Sequence, residues 1–430
     1  MKKYVVNLIL VVAAHKVLIS FSLLLILSIF LRFYQLDARS HFGWDEVNNA
    51  WAANNIIVNH EFPLIGFQAK VNSGIYIGPY YYYLVAIIYY LTNLDPIASG
   101  IIAGITSIFT FLTLFYISGK LFSANVALVA VFLNTVSLFA INFDRTQGPV
   151  NFIPSISLVI FFSLYKIITG SSKFILWLAL AFGFLLHIHV TAIYFPIIIL
   201  LCLPFFPRTK EVLKYIFISI PIFLFFLLPS IIAFLQNAKY SSSAISYGNS
   251  YFHGLHLKRV AQLTNDAFIQ FEPYFNYSSL IKYLKFILIP LFVFSYLYKN
   301  ISKDKLLLCY LVLLWFTIPW LVLSLYSGEI SDYYFSANRF VALLVISYLV
   351  SKIFQFRNIV IKITIISLLI CYMVLNLHKF FSSTVTDNLK DKSNFVQQAI
   401  KEGRKIGFYE GVPDSYLYYY YMRKKGKQVY

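Results

Sequence analysis

Between residues 17 and 378 the chain reads as a succession of long apolar runs, and that succession decides most of what it can fold into. A helix that crosses a membrane needs roughly 20 apolar residues. Eleven runs approach that length: 17–34, 97–119, 122–142, 151–168, 174–189, 190–207, 213–235, 283–298, 306–326, 340–356 and 359–378. They predict an all-α polytopic membrane protein with about 11 transmembrane helices. Only 12% of the residues are charged, whereas a soluble domain carries about a quarter. A soluble enzyme is therefore excluded, and so is a disordered chain, which needs the opposite composition. Because apolar runs continue to residue 378, the first is not read as a cleaved signal. Residues 4–14 form a shorter apolar lead-in, separated from it by His15 and Lys16. Cys202, Cys309 and Cys371 all fall inside apolar runs, so no disulfide framework and no chelating zinc spacing is present.

A twelfth run, 76–94, contains seven tyrosines and a Gly78-Pro79 pair. Tyrosine favours the headgroup level, where the ring is apolar and the hydroxyl wet. Whether this run crosses decides the side on which every later loop lies. If it lies along the outer interface, the short inner loops after residue 97 hold twelve Lys and Arg against two acids, Glu211 and Asp304. The opposite short loops then hold only Arg145 and Arg339, with Asp144, Glu329 and Asp332. Positive-inside counting selects this assignment. It predicts a multi-pass protein of the cytoplasmic membrane with its N-terminus inside and its C-terminus outside. The net charge of +18 then reflects an inner anchor and a basic tail, and no nucleic acid is implied.

Three outer segments remain: 35–96, with juxtamembrane helices; 236–282; and the tail after 378. The chain is expected to divide into a membrane module, 1–378, and a small extracytoplasmic α/β tail, 379–430. The tail reads as helix 391–402, strand 404–410, helix 414–425 and a second strand starting after Gly426. About 50 residues cannot bury an adequate core alone, so the tail is expected to dock on the outer loops. The spans are almost free of ionisable groups at mid-depth, which disfavours a transporter. Chemistry or binding at the outer face fits better.

The acids direct attention to Phe42-Gly43-Trp44-Asp45-Glu46-Val47. From Asp45 onward Val47, Ala50, Trp51, Ile57 and Val58 share a helical face, predicting a helix that lies on the membrane. Asp45 and Glu46 occupy its first turn, where acids also serve as caps. Adjacent helix positions point about 100° apart, so one acid can act as a base while the other orients it or caps the helix. Asp144 and Arg145 sit at the outer end of the third span, either as an interfacial ion pair or as a second catalytic or sugar-binding acid with its neighbour. His187 and His189 lie at the same level. Two residues apart on a helix they make a poor chelate pair, and one is better suited to a phosphate or sugar. Lys70, Lys258, Arg259 and Arg339 are the outer cations available to grip a phosphate; snorkelling to headgroups is the structural alternative for each. Arg339, among polar residues at a span mouth, is the strongest of these.

The acidic pair on a juxtamembrane helix, Trp44-Asp45-Glu46, the segment Gly78-Pro79-Tyr80-Tyr81-Tyr82-Tyr83 and an acid after the third span together resemble the GT-C glycosyltransferases. The likeness is to those that use polyprenyl-phosphate sugars: protein O-mannosyltransferases, lipid A aminoarabinose transferases and lipopolysaccharide-core glycosyltransferases, of the family 39 type. It covers residues 17–380 as architecture. The resemblance implies inverting transfer in one displacement, with Asp45 matching the first-loop acid and Asp144 the second. Where aminoarabinose transferases carry a lysine after the fifth span, this chain has His187 and His189. The implied partners are a polyprenyl-phosphate sugar donor, a lipid or cell-envelope glycan acceptor, and membrane lipids. Tyr80 and Tyr81 would belong to the platform for lipid and sugar. No cofactor is assigned, and a divalent metal has no support in the sequence. A lipid-linked glycan flippase, or a ligase or polymerase using a diphosphate-linked donor, stands as the alternative.

Overall fold

Helix α1 (Lys2–Phe33) breaks its helical geometry at His15, where φ is −112° and ψ is 16°, so that an apolar crossing of 19 residues starts at the polar pair His15-Lys16. The computed structural model describes residues 2–70, 73–252, 254–274, 281–409 and 411–427. After a short turn, α2 (Leu36–Arg39), come α3 (Trp44–Val58) and α4 (Tyr80–Leu91). The bundle then continues through α5 (Ala98–Leu121), α6 (Ala124–Val136), α7 (Leu138–Arg145), α8 (Ile153–Ile168), α9 (Phe174–Leu185), α10 (Tyr194–Cys202) and α11 (Lys210–Gln236). Helices α12 (Ala238–Tyr251) and α13 (Leu257–Ala267) precede α14 (Lys285–Leu297), α15 (Lys303–Ser324), α16 (Arg339–Ile353) and α17 (Ile359–Ser382). The tail supplies α18 (Leu389–Lys401) and α19 (Pro413–Lys424). Among the described residues there is no sheet, only isolated bridges such as His41 to Asn388.

All eleven apolar runs are helical, but they are not equal. Among the described residues seven helices are long and apolar enough to cross a membrane, and the pair α6 and α7, bent by 69°, makes an eighth if it is one broken span. The other three runs give the shorter apolar helices Phe174–Leu185, Val190–Phe205 and Lys285–Leu297. The bend between α6 and α7 falls at Ser137, whose hydroxyl accepts from the Ala140 amide. The amide of Leu138 is taken by Asn376 Oδ1 of α17 (2.9 Å). A break inside an apolar layer persists only when the freed backbone groups find such partners.

Burial sorts the spans. The crossing that contains α16 is 89% buried and that of α8 78%, whereas α11 is 6% and α17 11% buried. Helices apolar all round yet uncovered by protein are the ones that face lipid. α11 and α17 therefore form the rim, and α5, α8, α15 and α16 the centre.

The loops 35–96, 236–282 and 325–338 meet with the tail on one face. Lys70 Nζ donates to the Glu329 carbonyl (3.1 Å), Arg259 to the Gly328 carbonyl (2.7 Å), and Tyr76 packs on Tyr240 with centroids 4.9 Å apart. Helix α4, with 12 residues, is only about 18 Å long at 1.5 Å per residue, against about 30 Å of hydrocarbon. The segment before it pairs within the first loop (Gly66 N to Ile77 O, 2.7 Å), and Leu94 after it accepts from Tyr416 of the tail (2.9 Å). Both ends of α4 thus stay on the loop face.

Two expectations are corrected here. Helix α3 does not rest on lipid through Val47, Trp51 and Val58. It buries Val47, Ala50, Ala53 and Ile56, while Trp51 turns to the tail and packs edge-on against Phe408 and Tyr416 (5.3 and 5.2 Å). Among its described residues the tail is not α/β: residues 404–409 form no strand. Among the described residues no neighbouring strand offers them a ladder. Instead the Ser415 hydroxyl donates to the Gly407 carbonyl (3.0 Å) and accepts from the Tyr409 amide (2.9 Å). The second strand expected after Gly426 falls largely on 428–430, outside the described residues. The tail does pack on the first loop, with Tyr419 donating to Asn54 (2.8 Å) and Tyr420 to Asp95 (2.6 Å).

With α4 lying flat, Asn59 and Lys120 belong on opposite sides of the membrane; were α4 a crossing, they would share a side. In a cysteine-free background, Asn59→Cys and Lys120→Cys are expected to react with an impermeant thiol reagent from opposite sides only. Labelling of both from one side would restore α4 as a span.

Candidate active site

The site begins with how α3 starts. Gly43 is its N-cap and leaves an amide for the third helical residue, Glu46, whose Oε2 accepts it at 2.9 Å. His41 Nδ1 approaches the same oxygen at 3.3 Å. That hydrogen bond raises the His41 pKa against the opposing effect of its partial burial. Glu46 is 2% exposed. Its carboxylate is engaged in the cap.

One position earlier, Asp45 points elsewhere. Its side chain reaches water inside a cleft of about 1070 Å³ whose walls include Trp44, Asn48, Asn49, Asn55, Tyr82, Pro149, Tyr419 and Arg423. Although the carboxylate is open to solvent on one side, the surrounding walls remove enough water to raise its pKa. The Glu46 charge raises it further, and His41 opposes. A carboxylate tuned upward in a cleft is the ordinary setting of a general base. The tail closes this cleft tightly. Gly411, at φ +71°, has no room for a Cβ because the Trp44 indole occupies that space.

Asp144 has a different role from the one its position in the sequence suggests. It is 5% exposed, and its Oδ2 receives both Nη2 (2.9 Å) and Nε (3.3 Å) of Arg32 at the end of α1. Arg339 stands 3.9 Å from Oδ1. Arg32 also donates to the carbonyls of Thr135 and Asn134 beside the bend (2.7 and 2.9 Å). Arg145 donates to the carbonyls of Leu31, Arg32 and Tyr34 (2.9, 2.7 and 2.9 Å), closing the C-terminus of α1. Asp144 and Arg145 are thus engaged by contacts inside the protein. Arg339, the cation most favoured from sequence, is 1% exposed and enclosed by the rings of Phe139 and Phe143 (5.1 and 4.7 Å). It lines neither cleft. The reason is Asp144, which holds it from a distant part of the chain.

A second cleft, of about 460 Å³, lies across the segment 66–77. Phe67 and Gln68 of that segment line the first cleft, while Ala69, Lys70, Ile75 and Ile77 line the second. This second cleft is walled by apolar groups such as Phe182, Leu186, Ile193 and Leu323, with Lys70, Ser73 and His189 among its polar members. His189 accepts from the Thr191 amide through Nδ1 (3.3 Å) and packs against Tyr333 and Tyr334. His187 is turned away. It donates to the Phe226 carbonyl (2.8 Å) and packs on Tyr80 (4.3 Å), and Gly78 leaves room for its ring where any Cβ would collide. Tyr80 donates to the Phe225 carbonyl (2.8 Å), and buried Tyr81 accepts from Gln147 (3.1 Å). Both tyrosines thus fasten α4 to its neighbours. Lys258 is exposed, Arg259 is tied to Gly328, and His253 lies outside the described residues. Sequence reasoning missed Arg32, the partner of Asp144, and the amides Asn48, Asn49, Asn55 and Asn59. The spacing of these amides on α3 was readable but carried no charge to draw attention. Among the described residues no three His, Cys, Asp or Glu gather as metal ligands.

No family model matches the sequence, and no curated protein matches it. Solved structures do. The crystal structure of ArnT from Cupriavidus metallidurans in the apo state aligns over 94% of this chain and 85% of its own, with a TM-score of 0.60 at 10% identity. ArnT from the same organism bound to undecaprenyl phosphate aligns over 92% and 74%, with a TM-score of 0.56 at 9% identity. ArnT is a lipid A aminoarabinose transferase of the GT-C class. This chain has the GT-C fold. What is shared at such identity is the fold.

Removing one member of a buried ion pair costs about 3–5 kcal/mol because the other is left unpaired. Asp144→Ala is therefore expected to lower the denaturation midpoint in detergent strongly. The apolar pair Arg32→Met with Asp144→Leu should recover part of the loss. A stable Asp144→Ala protein that lacks only activity would instead make Asp144 a catalytic residue.

Proposed function

We propose that the chain is a membrane glycosyltransferase that moves a sugar from a polyprenyl-phosphate donor to an acceptor hydroxyl. The reaction takes place at the outer face of the cytoplasmic membrane and inverts the anomeric carbon. The observation that carries this reading is Asp45. In a GT-C fold, it is a carboxylate with a raised pKa at the head of a loop-face cleft, beside an apolar cleft with a lysine on its wall. An acceptor hydroxyl becomes a competent nucleophile only as its proton leaves. Asp45 takes that proton, the acceptor oxygen bonds to the anomeric carbon, and the bond from that carbon to the phosphate oxygen breaks. The electron pair departs with the lipid phosphate, whose growing charge needs fixed donors.

The apolar cleft suits the prenyl chain, and Lys70 suits the phosphate. Its ammonium donates to the Glu329 carbonyl, and among the described residues that leaves donors for a phosphate, because an ammonium has three. Arg259 and exposed Lys258 stand on the 236–282 segment that meets the same loop. The phosphate grip is thereby assigned to Lys70 and the 236–282 loop, with Arg339 withdrawn from it. The neighbour's undecaprenyl phosphate supports a donor of this chemical class. The sugar moved, hexose or pentose, is left unassigned.

Asp45→Asn is expected to abolish transfer while expression and membrane insertion stay normal; full activity in that variant would remove Asp45 as the base. The raised pKa also has a sign. The base works only when ionised, so activity is present above its pKa and is lost as pH falls through it. The acid limb of kcat/KM should lie above the ordinary aspartate value of about 3.9, and a limb at or below that value would contradict the assignment. Lys70→Ala should raise the donor KM about tenfold, the scale of a lost charge-assisted hydrogen bond, without changing the acceptor KM. Equal effects on both would place Lys70 outside the donor site.

A further inference from the structure

On α3, Asp45, Asn48, Ala52, Asn55 and Asn59 recur at intervals of three and four and all line the 1070 Å³ cleft. At 100° per residue they fall within an arc of about 80°, so one narrow face presents an acid followed by three amides. At 1.5 Å per residue the stripe from Asp45 to Asn59 runs for about 21 Å. Asn49, beside it on the same wall, is 2% exposed, yet its Oδ1 has no hydrogen-bond partner. That oxygen is closed to solvent, and leaving it unpaired is costly. The same cleft is lined by the aromatic groups Trp44 of α3, Tyr82, Phe408 and Tyr419. Beyond them stand two cations of the tail, Arg423 and Lys427, both exposed.

We infer that this cleft is the acceptor subsite and that the acceptor is an oligosaccharide bearing an anionic group such as a phosphate ester. The inference rests on the transferase reading and names the substrate class of its site. Each amide carries both donors and acceptors, which is what vicinal hydroxyls require, and aromatic faces cover the apolar faces of sugar rings. A stripe of this length is too long for one sugar. The charges give it a direction: the reacting hydroxyl lies at Asp45, and the anionic group lies toward Arg423 and Lys427. A peptide acceptor fits less well. Strand addition, one common way of holding an extended peptide, needs an open strand edge, and among the described residues no strand lines this cleft. The tail, through α19 and Phe408, is thus a specificity element of the reaction.

The test uses the full chain in lipid nanodiscs on an array of defined neutral oligosaccharides, phosphorylated oligosaccharides and Ser/Thr peptides. The wild type is expected to retain oligosaccharides of two or more sugars, with the phosphorylated ones favoured. Asn48→Ala with Asn55→Ala should weaken retention about tenfold or more. Alanine raises helix propensity, so α3 remains folded, and an unchanged thermal midpoint checks this. Arg423→Ala should remove the preference for phosphorylated probes while neutral retention stays. A blank array, retention of peptides alone, or retention untouched in the Asn variants overturns the inference. The array needs no transfer, so its outcome is separate from that of Asp45→Asn. Loss of transfer in that variant with a blank array would keep the transferase and discard this acceptor site.

Discussion

The carboxylate of Asp144 and the guanidinium of Arg32 meet where neither has water, and the layer above them depends on that meeting. Arg32 ends the first crossing with 0% exposure, and an unpaired charge there would be prohibitively costly. The pair is workable because every nitrogen of the Arg32 guanidinium has an acceptor. Arg32 takes the carbonyls freed by the bend between α6 and α7, and Arg145 takes the last carbonyls of α1. One cluster thus closes a helix end, a helix break and two buried charges together. The bend it stabilises sends the chain from α7 back over the bundle. Gln147 reaches Tyr81 under the first loop and Pro149 becomes part of the cleft wall.

The sequence was most informative where the physics is local. The apolar runs became helices, the break at His15 fell at the polar pair, and the two first-turn acids divided into a cap and a carboxylate facing a cleft because adjacent helix positions diverge. It was least informative where the partner is far away in the chain. Arg339 read as a free cation at a span mouth, but Asp144 lies 195 positions earlier and cancels it. Nothing near Asp144 announced Arg32. Residues 404–409 have a strand's composition, yet a strand exists only beside another, and the nearest suitable groups belong to the Ser415 hydroxyl. The amide stripe on α3 shows a third kind of gap: its period was visible, but asparagine in a helix is neutral until a cleft is known to face it.

The two clefts share the segment 66–77 as a wall, and this arrangement matches a reaction between reactants of unlike solubility. A prenyl chain is soluble in lipid and a glycan in water, so a single uniform pocket would desolvate one of them without recompense. Placing apolar residues on one side of the wall and amides on the other lets each reactant stay in its own kind of surroundings up to the reacting atoms. In the proposed reaction only the sugar bonded to the phosphate passes from one side to the other.

That division also accounts for where charge is and is not found. Inside the bundle Asp144 is shared by Arg32 and Arg339, and Arg145 is held by backbone carbonyls, whereas Asp45 and Lys70 stand on the loop face and line the clefts. Asp45 owes its raised pKa partly to Glu46, and Glu46 is fixed by the Gly43 amide it caps. The cap therefore does more than start α3: it holds a second negative charge beside the base at a constant distance. Removing that charge would leave Asp45 in its cleft but lower its pKa, weakening it as a proton acceptor at neutral pH while widening the range over which it is ionised. The helix start and the basicity of the neighbouring carboxylate are thus set by one side chain.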